Sequence, residues 1–198
     1  SRLLMPMVRE SLQEAAVECS ALDAIVLGNG PGSFIGMRIA ASVAQGLAHG
    51  SSARIAPVSS LAAVAAEVLA TSGAAEVIVA QDAHMNEVYL GAFRRAANAL
   101  PEPMFDERLH TQTPIDELDE QGANARVAAG FGWQRYPALF AANEDRIGNT
   151  SATLYPRARF LLPLGSRLVE SGKSLAPQDV VPAYLRSKVA ETLSERRS

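Results

Sequence analysis

The sequence contains one cysteine, no long apolar run and no excess of basic residues. The single thiol of Cys19 excludes a disulfide scaffold and a four-cysteine zinc site, and it is typical of the reducing cytoplasm. The 18 lysines and arginines against 21 acidic residues give a formal net charge of −3, without the basic excess of an independent nucleic-acid binder. No apolar stretch reaches the roughly 18 residues of a membrane span. We therefore expect a soluble, cytoplasmic protein that does not bind nucleic acid on its own.

Hydrophobic residues make up 48% of the 198 positions and charged residues 20%, a balance that favours a folded core over disorder. In the first half, short apolar runs alternate with stretches of helical periodicity. The runs predict strands at residues 24–27, 55–58 and 76–80, and the periodic stretches predict helices at residues 1–17, 34–48 and from 59 or 60 to 69. Turn-forming residues 82–86 precede a further strand at 87–93, which predicts a hairpin. The pattern is that of an α/β fold with a mixed sheet.

The second half carries weaker signals. Residues 96–103 indicate a loop or a boundary, so we predict an N-terminal lobe at residues 1–95 and a C-terminal lobe at residues 96–198. Thr113 followed by Pro114 predicts the start of a short acidic helix. Beyond it, the sequence predicts a strand at 126–129 followed by a short helix, a helix at 158–170, an extended segment at 177–186 and a frayed polar tail.

A glycine-rich turn joins the first predicted strand to the second predicted helix. Gly28, Gly30 and Gly32 let the backbone approach a ligand closely, and the N–H groups at a helix start favour anions. No Gly-Lys-Ser/Thr follows, so the turn is not a Walker A loop, and Ser33 replaces the third glycine of a dinucleotide fingerprint. Ser33 also lacks the flanking glycines of a nucleophile elbow. Two interpretations stay open, phosphate binding and a plain tight turn with Ser33 as the helix cap.

Three titratable side chains lie around the predicted hairpin turn. Asp82, His84 and Glu87 could converge on a metal ion or supply a base, but a polar turn favours solvated surface groups. The three histidines are scattered, and no His-Glu-x-x-His motif occurs. Cys19 has no positive neighbour in the sequence, so we expect a buried structural thiol.

The helix predicted at residues 34–48 is apolar on nearly every side and carries one charge, Arg38. Such a helix is either buried within its own lobe or packed on a sheet with one face and on a partner protein with the other. The first predicted helix, which also has a broad apolar face, would lie beside it. From these two helices we predict a partner interface made of Leu4, Met7, Val8, Phe34, Met37, Ile39, Ala41 and Val43. In isolation the same surface would drive homodimer formation.

Three segments resemble the sequence signatures of one bacterial family. Residues 30–39 (GPGSFIGMRI) and 44–48 (AQGLA) resemble the first block of the TsaB (YeaZ) family of tRNA threonylcarbamoyladenosine biosynthesis proteins. Residues 82–89 (DAHMNEVY) resemble its second block, and residues 182–186 (PAYLR) resemble its C-terminal Pro-x-Tyr-Leu-Arg segment. The resemblance extends over nearly the whole chain, and the first block is specific to the family.

The resemblance implies a two-lobed actin-like ATPase fold of the ribonuclease H-like type, here lacking its first N-terminal β-hairpin. Members of this family are degenerate paralogues of the catalytic subunit TsaD; they dimerise with it and are joined by the ATPase TsaE. The resemblance therefore implies a non-catalytic scaffold subunit of the tRNA threonylcarbamoyladenosine modification complex, which meets tRNA only through that complex. The catalytic paralogue carries a His-x-x-x-His metal pair where this chain has Ser60 and Val64, and neither can replace a metal-binding histidine.

Nucleotide binding and independent enzymatic activity are the alternatives. The candidate nucleotide or phosphate contacts are Gly30, Gly32, Ser33 and Asp82; no cofactor is predicted beyond ATP or ADP as a candidate ligand at the complex interface. A stand-alone nucleotide-binding enzyme of the actin-like superfamily would use the same residues. A peptidase is a further alternative, but the sequence has neither a zinc motif nor a nucleophile–base arrangement.

Overall fold

The computed structural model describes residues 2–186, in which helices and strands alternate along an α/β chain. The helices are α1 (Leu4–Glu14), α2 (Phe34–Ser51), α3 (Ser60–Thr71), α4 (Phe131–Arg135), α5 (Pro137–Ala141) and α6 (Ala158–Glu170). The strands are β1 (Ala24–Gly28), β2 (Arg54–Val58), β3 (Glu76–His84), β4 (Glu87–Arg95), β5 (Pro101–Pro103), β6 (Arg108–His110), β7 (Arg126–Ala129) and β8 (Asn149–Thr150). They form two sheets.

The smaller sheet pairs β1 with β2 in parallel. The helix α2 connects the two strands, as parallel neighbours require a crossover. Ala41, Ala44 and Ala48 of α2 pack against Leu27 and Ile55 of the strands, and the small alanine side chains bring the helix close to the sheet. Among residues 2–186, β2 is the only strand paired with β1.

The larger sheet has the strand order β5–β4–β3–β7–β8, with β6 also paired to β4. The central strand β3 runs antiparallel to β4 and parallel to β7. Because side chains alternate across a strand, Val77 and Val79 pack with α3, whereas Ile78 and Ala80 pack on the opposite face with Trp133. Burial on both faces explains why β3 is a continuous apolar run in the sequence.

The predicted hairpin, the strand at 126–129 and the helix at 158–170 are confirmed, and α2 extends three residues beyond its predicted end. The acidic helix predicted from Thr113 and Pro114 is wrong, since residues 113–122 form turns and bends. Ile115 is buried there and its N–H donates to Asn143 Oδ1 at 2.8 Å, so a tertiary hydrogen bond takes the place of a helical one.

Two smaller corrections concern a loop and a thiol. The loop predicted at residues 96–103 contains β5, and the extended segment predicted at 177–186 begins with a 3-10 turn at Pro177–Asp179. Cys19 lies in another 3-10 turn, Cys19–Ala21, where it is half-buried and not fully buried as expected.

The lobe boundary between residues 95 and 96 stays a prediction. The larger sheet contains strands from both sides of it, since β3 and β4 precede residue 96 and β5 to β8 follow it. No helix in the described part of the chain is long and apolar enough to cross a membrane. The predicted polar tail falls beyond residue 186, outside the described residues.

Candidate functional site

The glycine-rich turn after β1 is held by hydrogen bonds to its own chain. The Asn29 N–H donates to the Val58 carbonyl at 2.8 Å, and the Gly30 carbonyl accepts from the Ser60 N–H at 2.7 Å. Gly30 has a φ of +96°, and a β-carbon there would overlap the sulfur of Met37, so the position requires glycine. These bonds fix the turn against the end of β2 and the start of α3.

The hairpin turn between β3 and β4 is organised by the Asp82 carboxylate. Asp82 Oδ1 accepts hydrogen bonds from the His84 N–H and from the Tyr136 hydroxyl, each at 2.8 Å. Partial burial alone would raise the pKa of Asp82, but these hydrogen bonds outweigh it and hold the pKa below its usual value. Burial and the neighbouring carboxylate raise the pKa of Tyr136. Asp82 is therefore a charged, hydrogen-bonded group and not the solvated surface residue favoured by the sequence, whereas the side chain of His84 is 84% exposed.

The segment of residues 181–186 connects the glycine-rich turn to the hairpin turn. The Ala183 N–H donates to the Asn29 carbonyl at 3.1 Å, and the side chain of Asn29 donates back to the segment at 2.9 Å. At the other end, the Arg186 guanidinium donates to Glu87 Oε2 at 2.5 Å and to a backbone carbonyl of β3 at 3.1 Å. Glu87 is thus ion-paired and not merely solvated, and the three segments that carry the family resemblance meet at one place.

Tyr184 fixes the first turn of α2 from the same segment. Its hydroxyl accepts from Arg38 Nε at 2.9 Å, and its ring centroid lies 5.4 Å from that of Phe34. The guanidinium carbon of Arg38 lies 3.8 Å from the Phe34 ring centroid, a cation–π geometry. The start of α2 is therefore covered in part by the chain itself.

Two of the eight apolar residues predicted at a partner interface are corrected by the structure. Met37 and Ala41 are only 8% and 4% exposed, because they lie on the inner face of α2. Met7 is 60% exposed. The other five are half-buried: Leu4, Val8, Phe34, Ile39 and Val43. For these six residues the interface stays a prediction.

The side of α2 that faces away from the sheet carries two isoleucines and two small residues, and we call it the α2 outer face (Ile35, Ile39, Ser42 and Gly46). These residues follow one another at spacings of three or four, so they lie on one side of the helix. Ile35 is 69% exposed, Ser42 and Gly46 are exposed, and Ile39 is half-buried. Nearby in sequence, α1 contains no buried residue at all. Both helices therefore present apolar surface that residues 2–186 do not cover.

The predicted nucleotide contacts lie on two elements, with Gly30, Gly32 and Ser33 in the turn and Asp82 in the hairpin. Ser33 caps α2 as predicted, since its Oγ accepts from the Gly36 N–H at 3.3 Å. A β-carbon at Gly32 would meet no atom within 4 Å, so the turn is open on that side. The charged Asp82 carboxylate would repel a phosphate group. A nucleotide contact at these four residues stays a prediction.

The positions aligned with the metal pair of the catalytic paralogue lie on α3. Val64 is completely buried and packs in the core between α3 and the larger sheet. The Ser60 N–H donates a hydrogen bond to the Gly30 carbonyl of the glycine-rich turn. Within the described ranges of the chain, no group of three or more His, Cys, Asp or Glu side chains is placed to hold a metal ion. A hydroxyl and an isopropyl group offer no ligand set for a transition metal.

Sequence reasoning missed three residues of this region. Arg186 belongs to the C-terminal motif and Glu87 to the motif at residues 82–89. Their opposite charges were the available signal for the ion pair. Ile35 could not be assigned to the outer face, because α2 is apolar on nearly every side. Tyr136 lies 54 residues from Asp82, and no local pattern indicates their hydrogen bond.

Comparison with known proteins places these features in one family. The family model TsaD, tRNA N6-adenosine threonylcarbamoyltransferase, matches residues 1–192. The tRNA threonylcarbamoyladenosine biosynthesis protein TsaB of Escherichia coli K12 is 32% identical over 187 residues, which cover 94% of this chain and 80% of the relative. The TsaB protein of Haemophilus influenzae is 30% identical over 197 residues, which cover 96% of this chain and 80% of the relative.

Two solved structures from Pseudomonas aeruginosa have the same fold. One, described as similar to the peptidase YeaZ, superposes with a TM-score of 0.82 at 34% identity and covers 94% of this chain and 84% of its own. The other, YeaZ, superposes with a TM-score of 0.77 at 33% identity and covers 91% of this chain and 83% of its own. The α/β architecture and its actin-like relationship are therefore shared with these proteins.

Proposed function

Since the chain belongs to the TsaB (YeaZ) family of tRNA threonylcarbamoyladenosine biosynthesis proteins, we propose that it is a non-catalytic scaffold subunit of the complex that installs this modification. It acts in the cytoplasm. Its principal partner is a TsaD-type catalytic subunit, and a TsaE-type ATPase joins the pair. The tRNA is contacted through the assembled complex, in keeping with the net charge of −3.

The uncovered apolar surface of α1 and α2 is the observation that carries this proposal. Ile35 and Met7 are 69% and 60% exposed, and α1 buries no residue of its own. Large exposed apolar side chains are typical of protein–protein contact sites. Ser42 and Gly46 are exposed and small, so a partner helix can approach the α2 backbone closely beside Ile35.

The chemistry of the described residues supports a binding role over a catalytic one. The carboxylates and hydroxyls of the candidate site are used inside the fold, since Asp82 accepts from Tyr136 and Glu87 accepts from Arg186. The Ser33 hydroxyl caps α2 and has no histidine partner among its hydrogen bonds. The transfer reaction is therefore assigned to the TsaD-type subunit.

Association of purified proteins tests the partner surface. We expect Ile35→Asp and Met7→Asp each to weaken binding to the TsaD-type subunit at least tenfold in isothermal titration calorimetry, because an unpaired carboxylate is costly in an apolar interface. Leu162→Asp is the matched control, since Leu162 is 57% exposed on α6, which packs on the face of β1 opposite to α2. Met37→Asp is unsuitable because Met37 is buried and its replacement would destabilise the fold.

The same variants report on the isolated protein. If the surface also forms the homodimer, Ile35→Asp should shift the sedimentation coefficient from dimer to monomer while Leu162→Asp leaves it unchanged. Unaltered partner affinity in both α1 and α2 variants would contradict the proposed surface. Full tRNA modification by the remaining proteins in the absence of this chain would contradict the scaffold role itself.

A further inference from the structure

A cavity of about 540 Å³ lies between the two sheets, on the side of α3 that faces α6. Its walls come from the end of β2, the first turn of α3, the strand β5 and the last two turns of α6. None of its lining residues belongs to the glycine-rich turn, the hairpin turn or the α2 outer face. The volume is within the range of small-molecule sites, about 300–1,000 Å³.

The floor of this cavity is apolar. It is formed by Val58, Ala62, Leu100, Leu164 and Leu168, of which Val58 is buried and the others half-buried. Aliphatic walls of this kind stabilise the hydrocarbon part of a ligand by removing it from water. The cavity therefore favours a ligand with an apolar body.

Three polar side chains on the rim of the cavity already have hydrogen-bond partners within the protein. The Ser59 hydroxyl already donates to Glu107 and accepts from two N–H groups of α3, and the Ser171 hydroxyl donates to the Leu168 carbonyl at 3.2 Å. The Glu102 carboxylate accepts from Arg94 at 2.9 Å. These three side chains are occupied within the fold.

Two cations on the rim differ from them. Within residues 2–186, neither the guanidinium of Arg167 nor the ammonium of Lys173 has a hydrogen-bond or ion-pair partner, although both line the cavity. The pKa of Glu102 is lowered first by its hydrogen bond from Arg94 and more weakly by the charge of Arg167, so Arg167 lies near one carboxylate of the rim without bonding to it. Both groups are exposed donors whose acceptor in the free protein is water, and an anion is a stronger acceptor for them. A bound acceptor between two cations is most stable when it is an anion.

We propose that this cavity binds a small organic anion, with its apolar body on the floor between α3 and α6 and its carboxylate or phosphate head between Arg167 and Lys173. The body is held by aliphatic contacts and the head by charge-assisted hydrogen bonds. The site is separate from the proposed partner surface, so ligand and partner can bind at the same time.

The helix dipole of α6 alone could account for the positions of the two cations, although it does not account for the cavity. Arg167 lies in the last turn of α6 and Lys173 follows its end, and cations near a helix C-terminus are favoured by the helix dipole. That explanation predicts that removing the charges lowers the stability of the protein and has no effect on ligand binding. The ligand proposal predicts a charge-dependent affinity, so the two can be separated.

Three probes with one eight-carbon body test the site: octanoate, octyl phosphate and 1-octanol. Titration of the ¹⁵N-labelled full-length protein, followed by amide chemical shifts, should place the changes around Ala62, Leu164 and Leu168. We expect the two anions to bind about tenfold more tightly than 1-octanol, the difference that one or two charge-assisted hydrogen bonds supply. The ratio of octanoate to octyl phosphate affinity shows which head group is preferred.

Variants of the rim and the floor complete the test. The double variant Arg167→Gln with Lys173→Gln should bind octanoate as weakly as 1-octanol, while Arg159→Gln, an exposed arginine at the other end of α6, should bind it like the wild type. Ala62→Phe, which fills the floor, should weaken all three probes. Equal affinity for anions and alcohol, unchanged octanoate binding in the double variant, or shifts centred elsewhere would overturn the proposal.

Discussion

The helices α1 and α3 are of similar length, but one is uncovered and the other is packed on several sides. Eight of the twelve residues of α3 are buried, and five of them pack in one core with Val77 and Val79 of β3. None of the eleven residues of α1 is buried. The same contrast holds for the strands they accompany, since residues 77–80 of β3 are completely buried whereas only Leu27 of β1 is buried.

The larger sheet has its apolar residues covered by the chain itself, whereas the region around the smaller sheet leaves apolar residues exposed. The larger sheet has a core on each face, one with α3 and one with Trp133. The small-sheet region (residues 4–58) has a core on its inner side and apolar residues on its outer side. Uncovered apolar surface is what a scaffold subunit requires, because burial against a partner supplies the free energy of association.

The largest expected effect compares a core residue of the larger sheet with an exposed residue of α1. Leu90→Ala should lower the free energy of unfolding by about 3 kcal/mol, because Leu90 is completely buried and its loss leaves a cavity. Met7→Ala should change it by less than about 0.5 kcal/mol, because Met7 is 60% exposed. Urea denaturation measures both values, and a comparable loss in the two variants would show that α1 is as well packed as β4.

A smaller effect compares the hydroxyls of two tyrosines. Tyr136 is buried and donates to Asp82, so Tyr136→Phe should cost about 1 kcal/mol at neutral pH. Tyr184 is 40% exposed and accepts from Arg38, so Tyr184→Phe should cost less than about 0.5 kcal/mol. Denaturation at pH 7 decides between them, and the reverse order would contradict the difference in burial.

The stabilisation by the Tyr136 hydroxyl should depend on pH. The folded-state pKa of Asp82 lies below the ordinary value of 3.8, so the stabilisation from its charged form is complete above that value and is lost as pH falls through the lowered pKa. The stability difference between wild type and Tyr136→Phe should therefore shrink when the pH is lowered from 7 to 3. A difference that does not change with pH would mean that the hydroxyl does not stabilise the carboxylate.

The smallest effect concerns a contact that joins the two regions, between Ser59 after β2 and Glu107 before β6. Burial raises the pKa of Glu107, and the hydrogen bond from Ser59 opposes this only in part. The stability contribution of this group is complete below the ordinary value of 4.5 and is lost as pH rises through the raised pKa. Glu107→Gln, which stays neutral, should raise the unfolding midpoint at pH 7 and match the wild type below pH 4.5.

Glu102→Gln is the matched control for that variant. Its hydrogen bond to Arg94 lowers the pKa of Glu102, so the substitution should not raise the midpoint at pH 7. Stabilisation in both variants would indicate a general effect of reducing negative charge, and would contradict a specific effect of burial at Glu107.

The sequence was sufficient for the elements whose patterns have one interpretation. The strand β3 is buried on both faces, which produces a continuous apolar run in the sequence. The helix α6 is buried on one face, which produces apolar residues at a spacing of three or four, so both elements could be predicted. The Thr113–Pro114 pair misled because the same two residues begin a helix or a turn, and the choice depends on Asn143, about 30 residues away.

The candidate site was predictable where it lies in contiguous motifs and not where it depends on distant contacts. Ser33 as the cap of α2 follows from local chemistry. The inward position of Met37 and the outward position of Ile35 do not follow from local chemistry. The helix is apolar on nearly every side, so the sequence does not indicate which side faces the core. The meeting of Arg186 with Glu87 depends on the path of the whole chain.

Hydrogen–deuterium exchange of the full-length chain, alone and with a TsaD-type catalytic subunit, is the most direct test of a partner surface on α1 and α2. Exchange should slow in α1 and α2 when the partner is added, while the already protected amides of β3 stay unchanged. Protection confined to other elements, or unchanged exchange in α1 and α2 in a complex that has formed, would contradict that surface.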